Sequence, residues 1–130
     1  MINNPYNQYK RMQVETASQG RLILMLYDGA LKNLRNAQHC IKQKDVNGAH
    51  RMLMKTQDII RELNITLNMN AGEISKNLRN LYLYMLQRLV EANVAKDNKK
   101  IGEVIELLTT LKEAWDAVIL KNKSVTTPTP

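Results

Sequence analysis

Apolar side chains recur at steps of three and four residues in four successive segments of this 130-residue chain. That spacing places side chains on one face of an α-helix, whereas a strand requires alternation at every second residue. The sequence therefore predicts helices over about 18–44, 47–68, 73–96 and 99–122. Because short connections make consecutive helices antiparallel neighbours, we expect an all-α fold, an antiparallel up-down-up-down four-helix bundle.

One apolar stripe on each predicted helix is expected to form the core of the bundle. Turn-forming residues separate the helices, at Asp45–Gly48, Asn68–Gly72 and Asp97–Asn98. The predicted core residues are Ile23, Leu26, Ala30, Leu34, Ala37, Ile41, Ala49, Met52, Leu53, Thr56, Ile60, Leu63, Leu67, Ile74, Leu78, Leu81, Met85, Leu89, Ala92, Ile101, Val104, Leu108, Leu111, Trp115 and Val118.

The first and third helices each have a second apolar stripe. In the first, the run Leu22–Tyr27 wraps more than one face, and the second stripe consists of Leu22, Met25 and Gly29. In the third, the second stripe consists of Leu83, Leu86, Val90 and Val94, with Tyr82 and Tyr84 beside it. Exposed together, the two stripes would exceed the apolar patch that a soluble monomer usually leaves uncovered. The pattern predicts that a partner, or a movable segment of the chain, covers them.

Residues 1–16 are mostly polar and contain a turn signal at Asn4-Pro5. Tyr6, Tyr9 and Met12 are spaced by three residues, which suits a short segment docked on the bundle as a cover for the apolar stripes. Thr16 and Ser18 are then candidate N-caps for the first helix, so the bundle is expected to span 17–122. The Thr- and Pro-rich tail, 123–130, is expected to be disordered.

Composition limits the classes of protein that remain. Cys40 is the single cysteine, so we expect neither an internal disulfide nor a cysteine-based metal cluster. The longest apolar run has six residues and the N-terminus lacks the apolar core of a signal peptide, so a cytoplasmic protein without stable membrane insertion is expected. The formal charge of +7 requires an acidic partner to be considered. A basic helical nucleic-acid binder using Lys32, Arg35 and Lys42 is one alternative, although no aromatic residues are interleaved with them.

Catalysis is not expected. A di-iron site in a helical bundle needs Glu-x-x-His, but Asn36 and Asn47 stand three residues before the two histidines, His39 and His50. Carboxylate pairs such as Glu103 with Glu106 lie on polar faces beside basic residues, as solvated charge does. No nucleotide-binding or nucleophile motif occurs. We therefore expect no catalytic residue, no metal and no cofactor. A second alternative is a homodimeric adaptor in which the second stripes of two copies pair with each other.

Several runs resemble the flagellar secretion chaperone FliS family. They are the residues 16–23 (TASQGRLI), 25–30 (MLYDGA), 58–63 (DIIREL), 77–82 (NLRNLY), 84–85 (YM), 91–93 (EAN), 107–108 (LL) and 114–115 (AW). The runs cover nearly the whole chain in the family's order. Gln19 departs from the pattern, because many members have proline there, and the turn at 68–72 lacks the family's more acidic Gly-Gly sequence.

The resemblance implies a cytosolic export chaperone that binds the disordered C-terminal region of flagellin. It also implies that the chaperone prevents premature polymerisation and presents flagellin to a component of the export gate of the flagellar type III secretion apparatus. The free protein is expected to be a monomer or weak homodimer that binds no nucleic acid. The expected partner-binding residues, from the second stripes and the resemblance together, are Tyr6, Tyr9, Leu22, Met25, Tyr27, Gly29, Tyr82, Leu83, Leu86 and Val90.

Overall fold

The computed structural model describes the backbone of residues 5–126 and the side chains of residues 20–118. Within this part of the chain there are four α-helices and one 3-10 helix. The α-helices are α1 (Pro5–Lys42), α2 (Val46–Ile65), α3 (Glu73–Ala95) and α4 (Asn98–Thr126), and the 3-10 helix, Met69–Ala71, lies between α2 and α3. The predicted all-α class is confirmed.

The four helices form a ring in which each packs against its two neighbours along the chain, and α4 closes the ring against α1. The diagonal pairs, α1 with α3 and α2 with α4, do not approach closely along their backbones. The short connections bring helix ends together, so that the Gln38 amide donates to the Asn98 carbonyl at 3.4 Å. This is the predicted antiparallel bundle.

The predicted inner stripes meet on the axis of the bundle. Most of their residues are buried or pack against the buried cluster, as the steps of three and four require. Two predicted core residues are exceptions, because Ile74 in the first turn of α3 and Val118 on α4 are exposed. Both lie near the end of the bundle at which α2 ends and α3 begins.

The α1–α2 turn and the α3–α4 turn, at the opposite end of the bundle, share one backbone feature, a left-handed lysine after the preceding helix. Lys44 and Lys96 adopt left-handed conformations with φ of 61° and 51°, which end α1 and α3. Each is followed by an aspartate that caps the next helix: the Asp45 carboxylate accepts from Gly48 N, and the Asp97 carboxylate accepts from Lys99 N, both at 2.9 Å.

Two helices extend beyond their predicted ranges. The first helix begins at Pro5 and continues through Thr16 and Ser18, the two candidate N-caps, so neither caps its start. Proline is well accommodated in the first turn of a helix, where its missing N–H would have no partner. The Asn4-Pro5 pair is therefore compatible with a helix that begins at Pro5 as well as with the predicted turn. The fourth helix extends to Thr126, which includes residues 123–126 of the predicted tail. The placement of residues 1–4 and 127–130, and any docking of the side chains of Tyr6 and Tyr9, lie outside the described residues.

Replacement of glycine by alanine is expected to have opposite effects on stability at Gly29 and at Gly48. A Cβ at Gly29 would lie 3.5 Å from Ile59 Cδ1, an ordinary contact, whereas a Cβ at Gly48 would lie 2.2 Å from Asp45 Oδ2 and 2.9 Å from Cys40 Sγ. Gly29→Ala is expected to stabilise the fold by about 0.5–1 kcal/mol through helix propensity. Gly48→Ala is expected to destabilise it by about 1–3 kcal/mol, because the capping carboxylate must move. Urea unfolding of both variants measures the difference, and equal effects of the two would contradict the described packing.

Candidate functional site

An exposed apolar surface runs along α3 on the side of α2. Its α3 residues follow steps of three and four: Leu83 is 49% exposed, Val90 49% and Val94 84%, and Leu86 is half-buried against the core. Met54 of α2 is also exposed. We call these five residues the α2–α3 surface. No described residue covers this surface. Its residues have the spacing on which the apolar face of a partner helix can dock.

Contacts made by the neighbouring side chains orient this surface. His50 of α2 is hydrogen-bonded to Asn93 of α3 at 2.9 Å. Leu86 stands two helical turns before Asn93, and Met54 stands one turn after His50, so both lie at the α2–α3 boundary.

The opposite flank of α3, toward α4, is polar. Arg88 donates to Glu103 and to Glu91, each at 3.0 Å, and Lys100 also donates to Glu91. The hydrogen bonds from Arg88 and Lys100 lower the pKa of the Glu91 carboxyl. Tyr84 donates its hydroxyl proton to Glu103, which adds a further link between α3 and α4. One flank of α3 is therefore closed by charge pairs, and only the flank toward α2 offers an apolar surface.

A second exposed apolar surface lies on α1, at Leu22 and Met25, which are 49% and 68% exposed. We call these two residues the α1 surface. Gly29, one turn after Met25, faces Ile59 of α2. The α1 surface and the α2–α3 surface therefore flank α2 on its two sides. Between them α2 presents exposed charged residues: Arg51, Lys55, Asp58, Arg61 and Glu62. The second stripes of α1 and α3 thus form two separate surfaces and not one continuous patch.

Tyr27 and Tyr82 are not surface residues. Both are fully buried, and their hydroxyl oxygens lie 2.5 Å apart across the core, joining the diagonal helices α1 and α3. The indole N–H of Trp115 on α4 donates to the Tyr27 hydroxyl at 3.1 Å. Burial raises the pKa of both phenols, and their mutual hydrogen bond raises that of Tyr82 further. The two side chains therefore lie at the polar centre of the core and not on a surface, and their part in partner binding stays a prediction.

A cavity of about 230 Å³ lies at the end of the bundle where α2 passes into α3. Its walls include Ile23 of α1, Leu78 and Tyr82 of α3, and Trp115 of α4. The 3-10 helix contributes Ala71 at the mouth, beside the exposed Ile74. Sequence reasoning missed this cavity, since it depends on the path of the connection between α2 and α3.

The other candidate residues lie where solvated groups are expected. His39, His50, Lys32, Arg35 and Lys42 are exposed, and the five do not form one cluster. Within the described part of the chain, the structure contains no group of three or more histidine, cysteine or acidic side chains that could hold a metal ion. Over the same residues, none of the helices has the combined length and hydrophobicity needed to cross a bilayer.

Comparison with known proteins gives the family of this chain. The model of the family "Flagellar protein FliS" matches residues 2–123. The flagellar secretion chaperone FliS of Bacillus subtilis is 42% identical over 118 residues, which cover 91% of this chain and 88% of that protein. The corresponding chaperone of Salmonella typhimurium is 39% identical over 116 residues, covering 85% of this chain and 86% of its own length. The role of these relatives is chaperoning, which is not enzymatic. The chain thus belongs to the FliS family and is a flagellar export chaperone.

Proposed function

We propose that this chaperone binds the disordered C-terminal region of flagellin in the cytoplasm, and that the α2–α3 surface is its main docking site. The observation that supports the proposal is the uncovered row Leu83, Leu86, Val90 and Val94 on one side of α3. Its steps of three and four match the apolar face of a client helix lying along the boundary between α2 and α3. The α1 surface, with Leu22 and Met25 beside Gly29, is the proposed second site for the same client.

The energetics of a disordered client favour a long apolar footprint. Each residue that becomes ordered loses roughly 1–2 kcal/mol of conformational entropy. Burial of apolar area returns about 25 cal/mol per Å², so a few isolated contacts are insufficient. Two apolar surfaces on either side of α2 let one client segment spread its contacts over a large part of the bundle. The charged outer face of α2 between them stays hydrated under a polar linker of the client.

Sequestration of the client explains the two other parts of the proposed function. A flagellin subunit whose C-terminal region is held on the chaperone lacks a segment free to associate with other subunits, so premature polymerisation is prevented. The bound complex is then presented to a component of the flagellar type III export gate. Tyr6 and Tyr9 belong to the proposed partner-binding set because the resemblance implies that an N-terminal segment lies over part of the groove in the free chaperone and moves aside for the client.

Peptide binding tests the proposed client directly. Fluorescently labelled peptides from the C-terminal and the N-terminal regions of flagellin from the same organism are titrated with the full chain, and anisotropy is recorded. We expect saturable binding of the C-terminal peptide and much weaker binding of the N-terminal peptide. Equal binding of the two peptides, or binding of neither, would contradict the proposal that the C-terminal region of flagellin is the client.

A further inference from the structure

The cavity at the end of the bundle, between α1, α3 and α4, has a lining that bears on how the client is anchored. Four apolar side chains form much of its wall: Ile23, Leu67, Ile74 and Leu78. Among the described residues that line it, none is charged. An occupant with a formal charge would lose its hydration there without gaining an ion partner, which is unfavourable. The lining therefore selects an uncharged group.

Four polar side chains of the wall are already bonded within the chain. The Thr66 hydroxyl donates to the Leu63 carbonyl and the Ser75 hydroxyl donates to the Asn68 carbonyl, both at 2.6 Å. The Tyr82 hydroxyl is bonded to Tyr27, and so is the indole N–H of Trp115. Because these hydroxyls and the indole are engaged, a polar occupant would find few partners, and the cavity favours a purely apolar one.

The volume limits the size of the occupant. A cavity of about 150 Å³ accepts a benzene molecule, and pockets for drug-sized ligands start at about 300 Å³. At about 230 Å³, this cavity fits one ring or one branched aliphatic group. Its size thus corresponds to a single large apolar side chain and is too small for a cofactor.

The chain's own undescribed ends are poor candidates for the occupant. Pro5 precedes Ile23 by 18 residues of continuous helix, which is about 27 Å at 1.5 Å per residue. Residues 1–4 span at most about 14 Å when extended, so they do not reach back to the cavity. Residues 127–130 are Thr-Pro-Thr-Pro and contain no large apolar side chain. Neither of these two segments therefore supplies the occupant.

We propose that this cavity is an anchor site for one apolar side chain, the size of leucine, isoleucine, methionine or phenylalanine, from a segment of the exported client. This inference rests on the proposed function. The exposed Ile74 at the mouth and Leu22 next to Ile23 continue the apolar surface outward from the cavity, so a client segment on the α1 surface reaches it. The Tyr27 hydroxyl is a positioning group in this site, because it holds the indole of Trp115 in the cavity wall.

A matched pair of substitutions on the 3-10 helix tests the anchor site. Ala71→Phe places a ring in the mouth of the cavity, whereas Asn70→Phe places the same ring on the adjacent residue, which does not line the cavity. Two probes are used with the full chain: benzene, followed by the single indole N–H resonance of Trp115, and the flagellin C-terminal peptide, followed by anisotropy. In the wild type and in Asn70→Phe, benzene is expected to shift the indole resonance, and in Ala71→Phe it is not.

For the peptide, Ala71→Phe is expected to weaken binding by about 10- to 100-fold, the contribution of one buried large apolar side chain, while Asn70→Phe stays near the wild type. Equal peptide affinity of the two variants overturns the anchor site but leaves the proposed client standing. Loss of a homodimer in Ala71→Phe, seen by sedimentation without any change in peptide affinity, assigns the cavity to a second copy and also overturns it. A wild type that does not bind the peptide overturns the proposed function and this inference together.

Discussion

A chain carrying Leu83→Asp together with Val90→Asp is expected to lose at least about 100-fold in affinity for the C-terminal region of flagellin. Both side chains are about half exposed on the α2–α3 surface, so the native fold tolerates polar replacements there better than in the core. In the complex, however, each carboxylate would lie beneath an apolar client face without a partner. Because each side chain is already about half buried in the free chain, the apolar burial lost is about 0.7–1.5 kcal/mol per side chain, and the desolvation of two charges adds to it.

The matched control is Thr110→Asp together with Ala117→Asp. These two residues are exposed on α4 and, like Leu83 and Val90, stand seven residues apart, so the control adds the same charge at the same spacing. Peptide anisotropy measures affinity, and circular dichroism with urea unfolding confirms that both double variants keep the helical fold. If the two double variants bind equally well, the α2–α3 surface is not the docking site. If both lose binding, the added negative charge is responsible and not the position.

The periodicity of the sequence predicted the bundle because each helix has to bury one apolar stripe, and a stripe at steps of three and four has no other stable solution than helix packing. The ends of helices follow weaker rules. The Asp45 and Asp97 turns were predicted, since a capping carboxylate next to a chain reversal is a local signal. The start of α1 was not, because Pro5 is compatible both with a turn and with the first turn of a helix.

The exposure of the candidate site residues was predicted in part. Leu22, Met25, Leu83 and Val90 are exposed as the second stripes indicated, because the inner stripes already fill the core. Tyr27 could have been assigned to the core, since it continues the steps from Ile23 to Ala30. The hydrogen bonds of Tyr27 with Tyr82 and Trp115 could not have been predicted from the sequence. The three side chains belong to three helices, and the packing of the whole bundle sets the distances between them.

The buried phenol pair makes the stability of the fold depend on alkaline pH. Burial raises the pKa of Tyr27 and, with the hydrogen bond between the two phenols, that of Tyr82. In the unfolded chain a tyrosine loses its proton near pH 10. Above that pH the unfolded state therefore binds fewer protons than the folded state, and the free energy of unfolding falls as pH rises. Below pH 10 both states keep the protons and this contribution to stability is fully present.

Urea unfolding between pH 8 and pH 11 measures this dependence, which is expected to reach about 1.4 kcal/mol per pH unit for each buried tyrosine. Tyr82→Phe removes one of the two protons, so the slope above pH 10 should decrease by about that amount. Ionisation of the lysines contributes equally to both chains and cancels in the comparison. At neutral pH the same variant should be about 1 kcal/mol less stable, because Tyr27 loses a hydrogen-bond partner in the core. Parallel pH curves for the wild type and Tyr82→Phe would mean that the Tyr82 phenol ionises as readily in the folded chain as in the unfolded one, which its burial beside Tyr27 does not allow.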